Sequence, residues 1–135
     1  MPTRDPSPEL DDLAAVSHEE VSRDRVTFQV AVSPALHQPY GIVHGGVYAA
    51  LAERAAVLGA TAWLGGAGRP RATAVGTQFL RAVRDGTLFV EAHPVHRGRG
   101  QQLWQVRITG HTGPAHDAVK VVATAEVRLF NAPAD

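Results

Sequence analysis

The chain has 135 residues, 44% hydrophobic and 19% charged, the balance of one ordinary globular domain. Thirteen Lys and Arg offset thirteen Asp and Glu, so there is no basic footprint for nucleic acid or for an anionic membrane surface. Cysteine is absent, which excludes disulfides, thiolate catalysis and cysteine-held metal, and no apolar run approaches the roughly 18 residues of a membrane span.

Residues 1–24 read as an N-terminal arm. Its opening, MPTRDPSPELDD, carries three prolines and four acidic residues and no hydrophobic signal region, so the expected location is cytoplasmic. A short amphipathic helical turn is expected around Pro8–Val16, where Leu10, Leu13 and Ala14 fall at helical spacing. The folded domain spans 25–131. In Arg25–Val32 the residues Val26, Phe28, Val30 and Val32 alternate with polar ones, the pattern of a half-buried strand, and Pro34 ends it.

From Gly45 to about Trp63 the chain is Ala- and Leu-rich and apolar on nearly every face, with Glu53 and Arg54 as its only charges. A helix of that kind is expected to be wrapped by the rest of the protein. Strands follow. Thr73–Val83 is expected to pair with Thr87–Val95 across the turn at Arg84–Gly86, and Gln101–Thr109 and Ala118–Phe130 complete the set. In the last strand Val119, Val121, Ala123, Ala125, Val127 and Leu129 share one face. The expected fold is α+β, one long buried helix wrapped by a curved antiparallel five-stranded sheet. Open edges on so small a sheet call for cover by a second copy, hence a homodimer or a dimer of dimers.

The segment that carries chemistry runs from Gln38 to Glu53, QPYGIVHGGVYAALAE. Gly45 and Gly46 open the helix, where bare backbone N–H groups at the positive end of the dipole suit an anion or a carbonyl that turns negative. They equally suit a tight turn or close packing. Glu53 is either a base or nucleophile tuned by apolar surroundings or part of a narrow solvated stripe with Arg54. It lies eight residues beyond Gly45, about 12 Å along the axis at about 1.5 Å per residue. The two can therefore act on one substrate only if they come from different subunits.

Gln38 offers an amide donor or is an ordinary loop residue. His44 bonds substrate or caps the loop. Arg97 and Arg99, in HRGRG at 96–100, meet phosphates or are solvated turn residues, and Phe79, Trp63 and Tyr48 line an acyl pocket or belong to the core. Metal chemistry is not expected, since no H-E-x-x-H occurs among the seven histidines. The four serines all lie in the first quarter, without a G-x-S-x-G setting, which removes the serine triad.

With these residues in view, the chain resembles the hot-dog-fold acyl-CoA thioesterases, in particular those similar to 4-hydroxybenzoyl-CoA and 1,4-dihydroxy-2-naphthoyl-CoA thioesterases within the phenylacetate-pathway superfamily. The resemblance runs from about Val26 to Leu129 and rests on residues 38–53, on Phe79-Leu80-Arg81 with Gly86, and on HRGRGQQLWQ at 96–105. It implies hydrolysis of an aromatic or medium-chain acyl-CoA without a cofactor or metal, in a homo-oligomer such as a homotetramer with sites at subunit interfaces. Gly45 would polarise the thioester carbonyl, Gln38 would orient it, and His44 would sit beside it. Glu53 of the neighbouring subunit would be nucleophile or general base. Gly46, Arg97, Arg99 and Phe79 would bind substrate.

One position departs from that family. Its members often carry Ser or Thr one turn after the carboxylate, where this chain has Val57. Thr61, Thr73 and Thr77 are the hydroxyls that would have to substitute. The alternatives are a non-catalytic acyl-CoA-binding module and a thioesterase acting on an acyl-carrier-protein substrate.

Overall fold

The computed structural model describes residues 10, 14–112 and 118–134. Among the described residues, six strands and one long helix follow in the order β1 (Val16–Val21), β2 (Val26–Ala31), α1 (Gly45–Leu64), β3 (Gly68–Phe79), β4 (Thr87–Arg97), β5 (Gln101–Thr112) and β6 (Ala118–Pro133). The strands form a single antiparallel sheet, β1-β2-β4-β5-β6-β3, and α1 packs across its inner face. Among the described residues no helix is long and apolar enough to cross a membrane.

The sheet has six strands where five were expected. The additional one, Val16–Val21, lies within the expected arm and pairs with β2, Val16 opposite Val30 and Val21 opposite Val26. Its sequence, VSHEEV, is mostly exposed and has no alternation to announce a strand. It is also irregular, with a register shift between Ser17 and Glu20 and His18 at φ +54°. Of the helical turn expected around Pro8–Val16, Leu10 and Ala14 are helical, Ala15 is a turn at φ +43°, Val16 has become strand, and the remainder lies outside the described residues.

The expected pairing of Thr73–Val83 with Thr87–Val95 does not form. β3 pairs with β6, from Gly68 opposite Pro133 to Phe79 opposite Ala123, while β4 pairs with β2 and β5. Residues 80–86 leave the sheet and cross its end. Seven residues reach at most about 25 Å, ample for the three strand spacings of about 4.8 Å between β3 and β4. Gly86, at φ +87°, turns the chain into β4. β3 begins earlier than expected, at Gly68, and tolerates Pro70 because it is an edge strand.

β6 holds the expected alternation only in part. Ala123, Ala125, Val127 and Leu129 face inward and are buried. The ladder with β5 then skips a residue, Ile108 opposite Ala123 but Thr109 opposite Val121. Val122 is the extra residue of this bulge, and beyond it the faces exchange, leaving Val119 exposed.

The core lies between the sheet and one stripe of α1, made by Tyr48, Leu51, Ala52, Ala55, Ala56, Gly59 and Ala60. Trp104 fills the notch at Gly59, where a Cβ would fall well inside contact distance of the indole. The indole N–H donates to Gln102 Oε1 at 2.9 Å, and Gln102 Nε2 donates to Asn131 Oδ1 at 3.0 Å, so the fully buried Gln102 amide is paired. Gly65, at φ +56°, ends the helix by donating its N–H to Thr61 O. Within one chain α1 is not wrapped all round. Gly46, Glu53 and Thr61 are exposed on its far side, with Ala49, Ala50 and Val57 half-buried, because one small sheet covers one side of a helix.

Candidate active site

The loop before α1 is fastened at several points. His37 and Val43 form a bridge, Gln38 N–H donates to Ile42 O at 2.9 Å, and Gly41 at φ +77° makes the turn between them. The loop is tied to the crossing segment through Val43 N–H to Val83 O at 2.8 Å and His37 Nε2 to Arg84 O at 2.6 Å. That segment is tied in turn to the β6 bulge. The N–H groups of Leu80 and Arg81 both donate to Val122 O, and Arg81 Nη1 donates to Val121 O at 2.9 Å.

His44 caps α1. Its Nδ1 accepts the Gly46 N–H at 2.9 Å, so the neutral ring carries its proton on Nε2. The Gly46 donor is thereby used within the chain. Among the described residues the Gly45 N–H has no acceptor, and it remains the available donor at the positive end of the helix.

Gly45 opens on a cavity of about 450 Å³ whose wall includes Gln38, Ile42, Tyr48, Phe79 and Arg81. Phe79 packs directly on Gly45, with a ring carbon 2.9 Å from where a Cβ would sit, which gives the glycine a packing reason beside its donor role. The Tyr48 ring lies 6.2 Å from Phe79, centroid to centroid, and burial pushes its phenol pKa up to about 12.

Gln38, Gly45 and Phe79 are thus brought together, with Gly46 and His44 at the same helix start. Glu53 is not among them. It is exposed on the far side of α1, about 12 Å along the axis from Gly45. The two charges of the helix part company there. Arg54 turns inward, pairing with Glu19 at 2.5 Å and lying 4.6 Å above the Phe28 ring, so no shared solvated stripe forms. The apolar setting expected for Glu53 is likewise absent within one chain.

Arg97 and Arg99 lie near the other end of the helix. Arg97 donates to Arg23 O and to Asp24 Oδ1, at 2.6 and 3.0 Å, and its guanidinium sits 5.6 Å from the Trp63 ring. Arg99 is exposed in the β4–β5 turn. Sequence reasoning assigned no part to Arg81, although it stands in the quoted Phe79-Leu80-Arg81 triplet; its signal was proximity to Phe79. A larger hollow, about 610 Å³, lies on the outer face of β2, β4 and β5. Glu91 in its wall bonds His93 and Arg25, which hold its carboxyl below the usual range. Among the described residues no three His, Asp or Glu are grouped to hold a metal.

The sequence model of the thioesterase superfamily matches residues 40–115, more than half of the chain. The chain belongs to the thioesterase superfamily. It is a thioester hydrolase by that membership and has the hot-dog fold, a helix laid in an antiparallel sheet. Over 116 residues this thioesterase is 42% identical to a candidate esterase of Mycobacterium tuberculosis, covering 83% of this chain and 78% of the relative. The solved structure of that mycobacterial protein superposes with a TM-score of 0.83 at 39% identity, covering 93% and 97% of the two chains. A 1,4-dihydroxy-2-naphthoyl-CoA thioesterase of Arabidopsis thaliana is 32% identical over 114 residues, 83% of this thioesterase and 72% of the relative.

Proposed function

We propose that this thioesterase hydrolyses an aromatic or medium-chain acyl-CoA to the free acid and CoA at a site shared between two copies of the chain. The observation that carries the reading is the Gly45 N–H, a donor at a helix start that opens on a cavity edged by Gln38 and roofed by Phe79. The Arabidopsis relative, named for an aroyl-CoA substrate, supports the aromatic class.

The thioester carbonyl oxygen accepts the Gly45 N–H, and the charge that develops on it in the tetrahedral transition state is met by the helix dipole. Gln38 orients the carbonyl. Glu53 of the second copy either takes a proton from the attacking water or attacks the carbonyl itself to give a mixed anhydride that water then opens. The C–S bond breaks and CoA leaves as the thiolate. Phe79 contacts the acyl group, and Arg97 and Arg99 meet CoA phosphates, Arg97 by exchanging Asp24 for phosphate. A cytoplasmic setting goes with that substrate. The second copy is favoured by the open edges β1 and β3, by exposed Tyr40, Phe79 and Leu80 beside the cavity, and by the uncovered side of α1.

Glu53→Ala is expected to lower thiol release at least a thousandfold while leaving helix content and oligomer size unchanged. Appreciable residual turnover would remove Glu53 from the chemistry. In a single turnover in H2 18O, label found in the Glu53 carboxylate establishes direct attack, because only water opening the anhydride at the Glu53 carbon can place it there.

Val57 favours one second reading, a module that binds acyl-CoA without cleaving it. It offers no hydroxyl one turn beyond Glu53; that of Thr61 is spent on Val57 O at 2.6 Å, and that of Thr73 on Arg128 O at 3.3 Å. Thr77, whose hydroxyl is buried without a partner among the described residues, is the one left to supply it. Tight binding with no thiol release from any acyl-CoA would decide for the module.

A further inference from the structure

One polar group in the cavity wall has no part in the chemistry above. Tyr48 stands three residues beyond Gly45, which places both on one side of α1, and helical side chains lean toward the N-terminus. Tyr48 is 3% exposed, and its hydroxyl is sealed from solvent with no hydrogen-bond partner among the described residues. Folds rarely leave such a group orphaned, because its lost hydration is not returned. Phenylalanine would fill the same volume without that penalty. Packing therefore accounts for the ring but not for the oxygen.

The neighbour on its cavity side is Phe79, tilted 43° to it and 60% exposed. Phe79 packs over Gly45 and beside the Tyr48 ring, so an acyl group that took its place would lie against the Tyr48 side chain. Burial keeps Tyr48 neutral far above physiological pH, so the group offered is an O–H donor.

We infer that the Tyr48 hydroxyl determines acyl specificity: it hydrogen-bonds an oxygen substituent on the acyl group, so that oxygenated acyl thioesters are selected over their unsubstituted counterparts. This rests on the thioesterase reading of the cavity. Gly45 fixes the carbonyl, and Tyr48 reads an atom several bonds away. A buried donor left unpaired by the unsubstituted substrate gives discrimination that a purely apolar wall cannot.

The test is calorimetric titration of wild type and Tyr48→Phe with two kinds of non-hydrolysable probe, plain S-phenacyl-CoA and its hydroxylated analogues (3- and 4-hydroxy on the ring). Turnover of benzoyl-CoA and the hydroxybenzoyl-CoAs is measured alongside. Wild type is expected to bind one hydroxylated probe at least tenfold more tightly than the plain one. Tyr48→Phe is expected to lose that preference to within twofold, to bind the plain probe no more weakly than wild type does, and to melt at an equal or higher temperature. An unchanged preference, equal weakening of both probes, or a lower melting temperature overturns the inference, the last because it would mean that the hydroxyl has a structural partner. A preference that depends on Tyr48 with no turnover of any thioester removes hydrolysis and keeps the assignment. Turnover without preference does the reverse, and failure to bind either probe overturns both.

Discussion

At the start of α1 two adjacent amides have different fates: Gly46 donates to His44, and Gly45 has no acceptor among the described residues. On the proposed mechanism the cap therefore selects which amide a substrate meets, besides holding the helix. Losing an N-cap side chain costs about 1 kcal/mol, so His44→Ala is expected to lower the melting temperature by about 3–6 °C for a domain of this size. It also frees a second donor beside the first and is expected to lower kcat. His44→Asn, whose side-chain oxygen can take the same N–H, is expected to restore the melting temperature; if it restores kcat as well, the imidazole is a cap and nothing more. Gln38, Gly45 and His44 were legible because they lie within eight residues of one chain segment, and a loop that short must deliver them to one helix end. Arg81 and the orphaned state of Tyr48 were not, since both depend on a strand partner and on packing that no local pattern encodes.

At the level of the elements, α1 combines a residue that weakens helices with a requirement for it. Gly59 costs about 1 kcal/mol relative to alanine in an isolated helix, yet the Trp104 indole occupies the space of its Cβ. Gly59→Ala is therefore expected to destabilise the fold by about 1–3 kcal/mol despite the gain in propensity, seen as a lower urea midpoint with unchanged slope. Gly59→Ala with Trp104→Phe should recover part of that loss. Alternation revealed β2, which buries a regular stripe, and length with apolarity on nearly every face revealed α1. These patterns missed β1, whose six residues bury little, and misjudged the partner of β3. The Arg84–Gly86 signal marks a turn, but whether a turn closes a hairpin or ends a crossing depends on where the preceding strand has already found its neighbour.

On the proposed mechanism the whole molecule, taken as one chain, holds only part of a site. Gly45 and Glu53 are separated along α1, and three exposed apolar residues, Tyr40, Phe79 and Leu80, lie near Gly45. Specific activity should therefore fall on dilution in step with dissociation, measured by sedimentation velocity over the same concentrations; full activity in a preparation that sediments as a monomer would rule out the shared site. The five-strand expectation was close because a sheet needs only enough strands to cover one side of the helix, and the sixth extends an edge without touching the cavity. The bulge at Val122 has a wider consequence. Its carbonyl receives the N–H groups of Leu80 and Arg81, and the carbonyl beside it receives the Arg81 guanidinium. The wall of the cavity thus hangs from the number of residues in β6 more than from their identity. Loss of a single codon there, which would leave every residue named in the cavity intact, would draw the wall out of place, whereas an apolar substitution close in size to the buried Val122 would spare it.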